Sequence, residues 1–174
     1  TSIGKNPQNV CGYNLLEKFA DFNEVKKQGI NGPIFALIAL DTNNYEIPIV
    51  EGVKEQTTKD KLIDYILDKE IKKGTNEAGG WAFFGNSVDP DITGMALQAL
   101  AKYKDDEKVK PYIDRAVNAL SKIQMPTGGY GSWGTVNCES IAQVIVALTA
   151  LDIDIAKDER FIKSANQWMI PALM

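Results

Sequence analysis

Two kinds of hydrophobic pattern alternate along this chain. Residues 58–71 and 109–123 place apolar side chains at three- and four-residue spacing with charged residues opposite, as amphipathic helices do. The runs 34–40, 92–101 and 141–151 are apolar nearly all round, which predicts helices that are covered on both sides. We therefore expect outer amphipathic helices to alternate with inner apolar helices in an all-α arrangement of two layers.

Further outer helices are predicted near the two ends of the sequence. Residues 13–27 carry apolar side chains at helical spacing, and the segment 161–169 suggests another helix of the same kind. Residues 41–57 contain Pro48 and Gly52 and form the longest predicted loop.

The inner helices share a recurring sequence. The segment Asp91–Leu100 aligns with Glu139–Leu148 at an offset of 48 residues, and Asn31–Leu40 aligns with Asp91–Leu100 at an offset of 60. Paired glycines followed by an aromatic residue precede two of the three copies, at Gly79-Gly80-Trp81 and Gly128-Gly129-Tyr130. A period of this size predicts stacked helical repeats.

The composition favours one globular domain. The chain has 174 residues, of which 44% are hydrophobic and 24% charged, so we predict a single domain over residues 1–174. The net charge is −4 and the two signs are interspersed, which argues against a nucleic-acid partner. No apolar run approaches the roughly 18 residues of a membrane-spanning helix, so no membrane span is expected in this segment.

The residue types restrict the possible chemistry. The chain contains no histidine, which removes the usual general base and the usual zinc ligand, and we predict neither a metal site nor a cofactor. Cys11 and Cys138 could form one disulfide, be two buried apolar residues, or include one reactive thiol. Burial without reaction is the alternative that we expect.

Aromatic residues in the glycine turns are candidate ligand contacts. They could line a ligand groove, or they could tie adjacent repeats together, and packing is the interpretation that we favour. Trp133 is the best candidate for direct contact because it lies in the most glycine-rich loop. The aromatic candidates are Trp81, Phe83, Tyr130 and Trp133.

Acidic residues at the starts of the inner helices are further candidates. Asp89 suits an N-cap, Pro90 the first helical position, and Asp91 the first turn, where a carboxylate favours the helix dipole. The segment Asn137-Cys138-Glu139 occupies the same places in the next repeat. Capping is therefore the preferred interpretation of Asp89 and Asp91, while ligand contact by these residues and Glu139 is the alternative.

The glycine–aromatic turns and inner-helix motifs resemble the repeats of the squalene cyclase and protein prenyltransferase superfamily. Within it, the chain is most similar to the cyclase-like repeats of bacterial cell-surface proteins, as in Asn31–Asp41, Lys61–Leu67 and Glu139–Leu151. The resemblance implies an α/α toroid, a terpenoid cyclase-like partial α/α barrel. It also implies that the chain is a fragment of a longer surface protein and is extracellular or on the cell surface.

The resemblance suggests enzymatic alternatives as well. Triterpene cyclases use an Asp-x-Asp-Asp-Thr motif whose central aspartic acid protonates an alkene. The present chain matches this motif at Asp89, Asp91 and Thr93, while Ile92 replaces its last aspartate. A degenerate or partial isoprenoid cyclase with Asp91 as general acid is thus one alternative. A cobalamin-type carrier on the same fold is another, whereas a zinc-dependent prenyltransferase needs the absent histidine.

The function that the sequence favours is a non-enzymatic binding or assembly module of a bacterial cell-surface or secreted protein. Its partner would be an unidentified ligand or protein. A homo-oligomer or flanking domains would complete the toroid, because an unfinished stack of repeats exposes apolar surface.

Overall fold

The computed structural model describes residues 4–132 and 134–173. It divides into two compact units, one ending at Tyr65 and the other beginning at Ile66. The expectation of one domain over residues 1–174 stays a prediction. The two units are described in turn.

Short helical segments open the first unit. A 3-10 turn, Leu15–Phe19, is followed by helix α1, Phe22–Val25, and a second 3-10 turn, Lys26–Gln28. The prediction of one continuous helix over 13–27 is therefore wrong. The chain breaks at Asp21, whose side chain caps α1 by accepting from the amide of Asn23 at 2.9 Å.

The loop that returns from the inner helix explains this break. The amide of Phe22 donates to the carbonyl of Glu55 at 2.8 Å, and the amide of Thr57 donates to the carbonyl of Ala20 at 2.8 Å. These bonds pair the segment around Asp21 with the loop as a β-bridge to Gln56. Backbone groups that pair with the loop cannot also continue a helix, so tertiary contact overrides the local periodicity.

Helices α2 and α3 are separated by that loop. Helix α2 spans Asn31–Asp41 and α3 spans Lys59–Asp68, and no helix or strand intervenes between them. Helix α2 buries Ile34, Leu37 and Leu40 completely. It is the first of the predicted inner helices, and α3 is the predicted amphipathic outer helix.

The second unit contains the other two inner helices, α4 and α6, with the outer helix α5 between them in sequence. A short antiparallel hairpin, β1–β2, pairs Gly131 with Val136 and Ser132 with Thr135. In chain order, the elements are α4 Pro90–Leu100, a 3-10 turn Ala101–Tyr103, α5 Lys110–Ile123, β1 Gly131–Ser132, β2 Thr135–Val136, α6 Cys138–Ala150, a 3-10 turn Glu159–Phe161, and α7 Met169–Leu173.

The C-terminal segment departs from the prediction. The expected helix around 161–169 is replaced by the 3-10 turn that ends at Phe161 and by the short α7. Between them, Ser164 and Gln167 form an isolated β-bridge. The amide of Gln167 donates to the carbonyl of Ser164 at 3.1 Å, a turn geometry that interrupts a helix.

Helices α4 and α6 pack directly on each other. A methyl group added at Gly94 would lie 3.0 Å from the carbonyl oxygen of Gln143, so the two backbones approach closely at this point. The side chain of Gln98 donates to that of Gln143 at 2.8 Å. Helix α5 covers the core with Ile113, Val117 and Leu120. The predicted alternation of inner apolar and outer amphipathic helices is confirmed.

The cysteines differ from the expectation. Cys11 and Cys138 are both exposed and both free, so the prediction that they are buried is wrong. Cys11 lies in a turn with φ 51°, and Cys138 begins α6 on a side that the core does not cover. The two cysteines do not form a disulfide, and both thiols are accessible to solvent.

Candidate functional site

The candidate site comprises two glycine–aromatic turns and the helix starts that follow them. The first turn, residues 79–89, leads into α4, and the second turn, residues 128–137, leads into α6. These segments hold all the residues that the sequence proposes for ligand contact.

Trp81 anchors the first turn in the core. Its side chain is fully buried, and the indole Nε1 donates to the carbonyl of Ile66 in α3 at 2.7 Å. Its amide donates to the hydroxyl of Thr93 at 2.9 Å, and that hydroxyl donates to the carbonyl of Trp81 at 3.0 Å. The ring therefore ties the last turn of α3, which from Ile66 onwards belongs to the second unit, to the inner helix α4.

Tyr130 has the same role in the second turn. Its ring is 1% exposed, and its hydroxyl donates to the carbonyl of Leu120 in the outer helix α5 at 3.1 Å. Burial raises the pKa of this hydroxyl. The carbonyl of Tyr130 accepts from the amide of Asn137 at 3.1 Å, as the carbonyl of Trp81 accepts from Asp89 at 3.0 Å. The repeat in sequence is thus a repeat in hydrogen bonding.

The glycines permit this close packing. Gly79 has φ +149°, and a methyl group there would lie 2.7 Å from the carbonyl oxygen of Arg115. Gly128 has φ +89°, and a methyl group there would lie 2.3 Å from the amide nitrogen of Trp168. A side chain at either position would meet backbone atoms, which cannot move aside cheaply.

Phe83 is placed differently from Trp81 and Tyr130. It is 44% exposed and packs edge to face against Phe84, with ring centroids 4.4 Å apart. Phe84 is 84% exposed. These two rings are therefore accessible to a partner, whereas Trp81 and Tyr130 are not. Trp133, the preferred candidate for ligand contact, lies outside the described residues, so its role stays a prediction.

Asp89 is an N-cap in the structure. One carboxylate oxygen, Oδ1, accepts from the amides of Asp91 and Ile92, each at 2.9 Å. In the next repeat, the side chain of Asn137 accepts from the amide of Ser140 at 2.7 Å and caps α6. An acid and an amide thus perform the same task at equivalent positions.

Asp91 and Glu139 lie in the first turns of α4 and α6. Asp91 is half-buried, while Glu139 is exposed and accepts a hydrogen bond from the thiol of Cys138 at 3.4 Å. Ile92, which stands where the triterpene-cyclase motif has its last aspartate, is 7% exposed. Two of the three matching motif residues, Asp89 and Thr93, are therefore engaged in capping and packing, and Asp91 is the remaining carboxylate.

An ion pair between a buried carboxylate and a partly exposed guanidinium lies beside the first turn and has no counterpart in the sequence analysis. The side chain of Glu70 is fully buried and accepts two bonds from Arg115, at 2.7 Å to Nε and 2.9 Å to Nη2. The hydrogen bond to Glu70 raises the pKa of the Arg115 guanidinium. The partners are 45 residues apart, and neither position stands out from the other charges of its helix pattern. No local sequence signal could have paired them.

The same region borders a groove of about 420 Å³. Its charged lining carries both signs, since Lys72 forms an ion pair with Glu77, and Lys122 and Arg115 also line it.

Across residues 4–132 and 134–173, no cluster of three or more Cys, Asp or Glu side chains could hold a metal ion. In the same ranges, the helices lack the length and the apolar composition that a membrane crossing needs.

These features define a class of helical-repeat protein in which glycine–aromatic turns connect outer amphipathic helices to inner apolar helices. The model of the squalene-hopene cyclase C-terminal domain matches residues 85–172, which include α4, α5 and α6. The chain belongs to this family, and therefore to the squalene cyclase and prenyltransferase superfamily of α/α-toroid proteins. Comparisons with curated proteins and with solved structures gave no match.

Proposed function

We propose that this chain is a non-enzymatic binding or assembly module of a bacterial cell-surface or secreted protein. One observation carries the proposal: two of the three residues that match the cyclase acid motif, Asp89 and Thr93, serve the fold. Asp89 caps α4, and the hydroxyl of Thr93 bonds to both backbone groups of Trp81. The apolar Ile92 occupies the place of the last acid.

The chemistry of alkene protonation supports the same proposal. A carboxylic acid that protonates an alkene must stay protonated and face an apolar cavity that holds the substrate. The groove of about 420 Å³ beside the first turn is lined by Lys72, Glu77 and Lys122 among others, and Asp91 is not part of this lining. Such a lining suits polar or charged surfaces better than a hydrocarbon.

The aromatic rings point in the same direction. Carbocation chemistry is sheltered by ring faces that line the substrate cavity. Trp81 and Tyr130 instead have their rings in the core and their polar atoms on the carbonyls of the preceding outer helices. These rings support a packing role, and the exposed Phe83 and Phe84 are the aromatic surface that a partner could contact.

A turnover assay on Asp91→Asn tests the proposal. Purified wild type and variant are incubated with squalene and with a prenyl diphosphate, and the extracts are analysed by gas chromatography and mass spectrometry. The matched control is Asp60→Asn, because Asp60 is an exposed acid in the first turn of α3. We expect no cyclised product from any of the three proteins. A wild-type product that survives in Asp60→Asn and vanishes in Asp91→Asn would overturn the proposal.

An isoprenoid cyclase is the second candidate. Family membership favours it, as does the position of Asp91 at the start of an inner helix. In that case Asp91 is the proton donor, and the turnover assay gives the positive result just described.

The cobalamin carrier stays a prediction from the sequence. It is tested by thermal stabilisation on adding cobalamin, since a ligand that binds the folded state stabilises it.

A further inference from the structure

Helix α6 exposes one continuous face. Positions 138, 142, 146 and 149 fall on one side of a helix with 3.6 residues per turn. All of these residues are exposed, and Val146 is exposed to 50%. The opposite side of α6 is buried in the core. We call the stripe of Cys138, Ala142, Val146 and Thr149 the open α6 face.

The repeat shows what packs on this face. At the offset of 48 residues, Ala142 corresponds to Gly94 and Val146 corresponds to Gln98. In α4, these two positions contact the next inner helix, because Gly94 lies against the backbone of Gln143 and Gln98 bonds to its side chain. The open α6 face is therefore the repeat-equivalent of an established contact between inner helices.

The two repeat offsets together identify the surface that is complementary to the open α6 face. The offset of 48 residues relates Gln143, which contacts α4, to Met95, and the offset of 60 relates Met95 to Phe35 in α2. Phe35 is 52% exposed and borders a groove of about 550 Å³. Most of its exposed lining is apolar and includes Gly32, Ala39 and Phe19, while Lys18 and Glu24 add one charge of each sign. We call the groove around Phe35 the open α2 face.

We propose that the open α6 face of one molecule binds the open α2 face of a second copy of this chain. The contact continues the inner-helix packing of α4 on α6 from one copy into the next. The Cβ of Ala142 prevents the close backbone approach that Gly94 allows, so we expect the two helices of the new contact to lie further apart than α4 and α6 do. Phe35 in place of Gln143 makes the expected contact more apolar. The inference rests on the proposed assembly function and specifies its partner.

The contact has a defined symmetry. Different surfaces meet, so the association is heterologous and each dimer keeps one free copy of each face. Head-to-tail association of this kind extends to larger assemblies as the concentration rises. A symmetric dimer built from two α6 faces would stop at two copies, and this difference separates the alternatives.

Sedimentation velocity with single variants tests the proposal. Wild type is measured from about 1 μM to about 1 mM, which spans weak to moderate affinities. Val146→Glu places a charge on the open α6 face, and Phe35→Lys places one on the open α2 face. We expect either variant to weaken self-association at least tenfold. Ile49→Glu is the matched control, because Ile49 is 91% exposed and lies on neither face, and it should associate like wild type.

Mixing the two variants gives the sharpest outcome. Val146→Glu retains an intact α2 face, and Phe35→Lys retains an intact α6 face. An equimolar mixture should therefore form 1:1 dimers that do not grow further. A mixture that stays monomeric overturns the proposal, as does a wild type that remains monomeric at about 1 mM. Self-association that persists in Val146→Glu overturns it too.

The native thiols provide a measurement that needs no variant. Cys138 lies on the open α6 face, while Cys11 lies in a turn of the first unit, and both are exposed and free. Maleimide labelling of Cys138 should slow in proportion to the associated fraction, while labelling of Cys11 serves as the internal reference. If the ratio of the Cys138 labelling rate to the Cys11 labelling rate is the same at all protein concentrations, the proposal is contradicted. Cyclase turnover that depends on Asp91 would instead contradict the proposed function, so the two failures are distinguishable.

Discussion

Removing the side chain of Asp89 tests whether this motif residue serves the fold. Its Oδ1 accepts hydrogen bonds from the amides of Asp91 and Ile92, both at 2.9 Å. Each bond contributes about 0.5–1.5 kcal/mol, and water reaches this half-buried turn once the carboxylate is removed. Asp89→Ala should therefore lower the free energy of unfolding by between about 1 and 2 kcal/mol, in the range measured for N-cap deletions.

Asp89→Asn is the matched control. An asparagine caps a helix about as well as an aspartate, and Asn137 already does so in α6. The variant should retain both hydrogen bonds and lose a few tenths of a kcal/mol through the weaker interaction with the helix dipole. Urea unfolding followed by circular dichroism measures both variants. A loss of 1 kcal/mol lowers Tm by about 2–4 °C in a chain of this size.

Two results would refute the capping argument. Asp89→Ala could unfold at the same urea concentration as wild type, which would mean that the two hydrogen bonds do not stabilise α4. Alternatively, Asp89→Asn could lose as much stability as Asp89→Ala, which would assign the effect to the negative charge. Only an Asp89→Asn variant within a few tenths of a kcal/mol of wild type, with a clearly larger loss in Asp89→Ala, agrees with the structure.

Three further predictions follow from the packing around the turns. Tyr130→Phe removes the hydrogen bond to Leu120 and should cost about 0.5–1.5 kcal/mol in urea unfolding. Burial raises the pKa of Tyr130, so the unfolded chain loses this proton first, and wild type should lose stability as the pH rises above about 10 more steeply than Tyr130→Phe does. Arg115→Ala leaves the buried Glu70 carboxylate without its partner and should cost about 1–3 kcal/mol in urea unfolding, because Arg115 is 37% exposed and its loss admits water; Glu70→Leu combined with Arg115→Met should recover much of the loss. Gly79→Ala places a methyl group against the carbonyl of Arg115 at positive φ. The conformational strain alone costs about 1–3 kcal/mol, and the steric contact adds to it, so Tm in a thermal melt should fall. An unchanged Tm would contradict the close approach of the two backbones.

The sequence predicted the inner helices well because their apolar pattern and their packing require the same residues. Helix α4, for example, was predicted at 92–101 and spans Pro90–Leu100, and its cap at Asp89 was also predicted. The terminal segments were predicted poorly. The 13–27 region is divided by bonds to Glu55 and Thr57, and a local pattern contains no information about those distant partners.

The candidate site shows the same division. The glycine–aromatic motif correctly marks both turns, because positive φ and close packing need glycine there. The motif does not show which aromatic side chains of a turn are buried, because buried and exposed rings occur within the same short glycine–aromatic segment. Trp81 and Phe83 are two residues apart, yet the first is fully buried and the second is 44% exposed.

The sequence by itself therefore determined the helical repeat, the order of inner and outer helices, and the caps, because each depends on residues close together in the chain. Only the tertiary structure decided which groups meet across long separations. It paired the buried Glu70 with Arg115, directed the hydroxyl of Thr93 to the backbone of Trp81, and left Val146 and Phe35 on open surfaces. These outcomes depend on how helices pack, and packing is a property of the whole arrangement of helices.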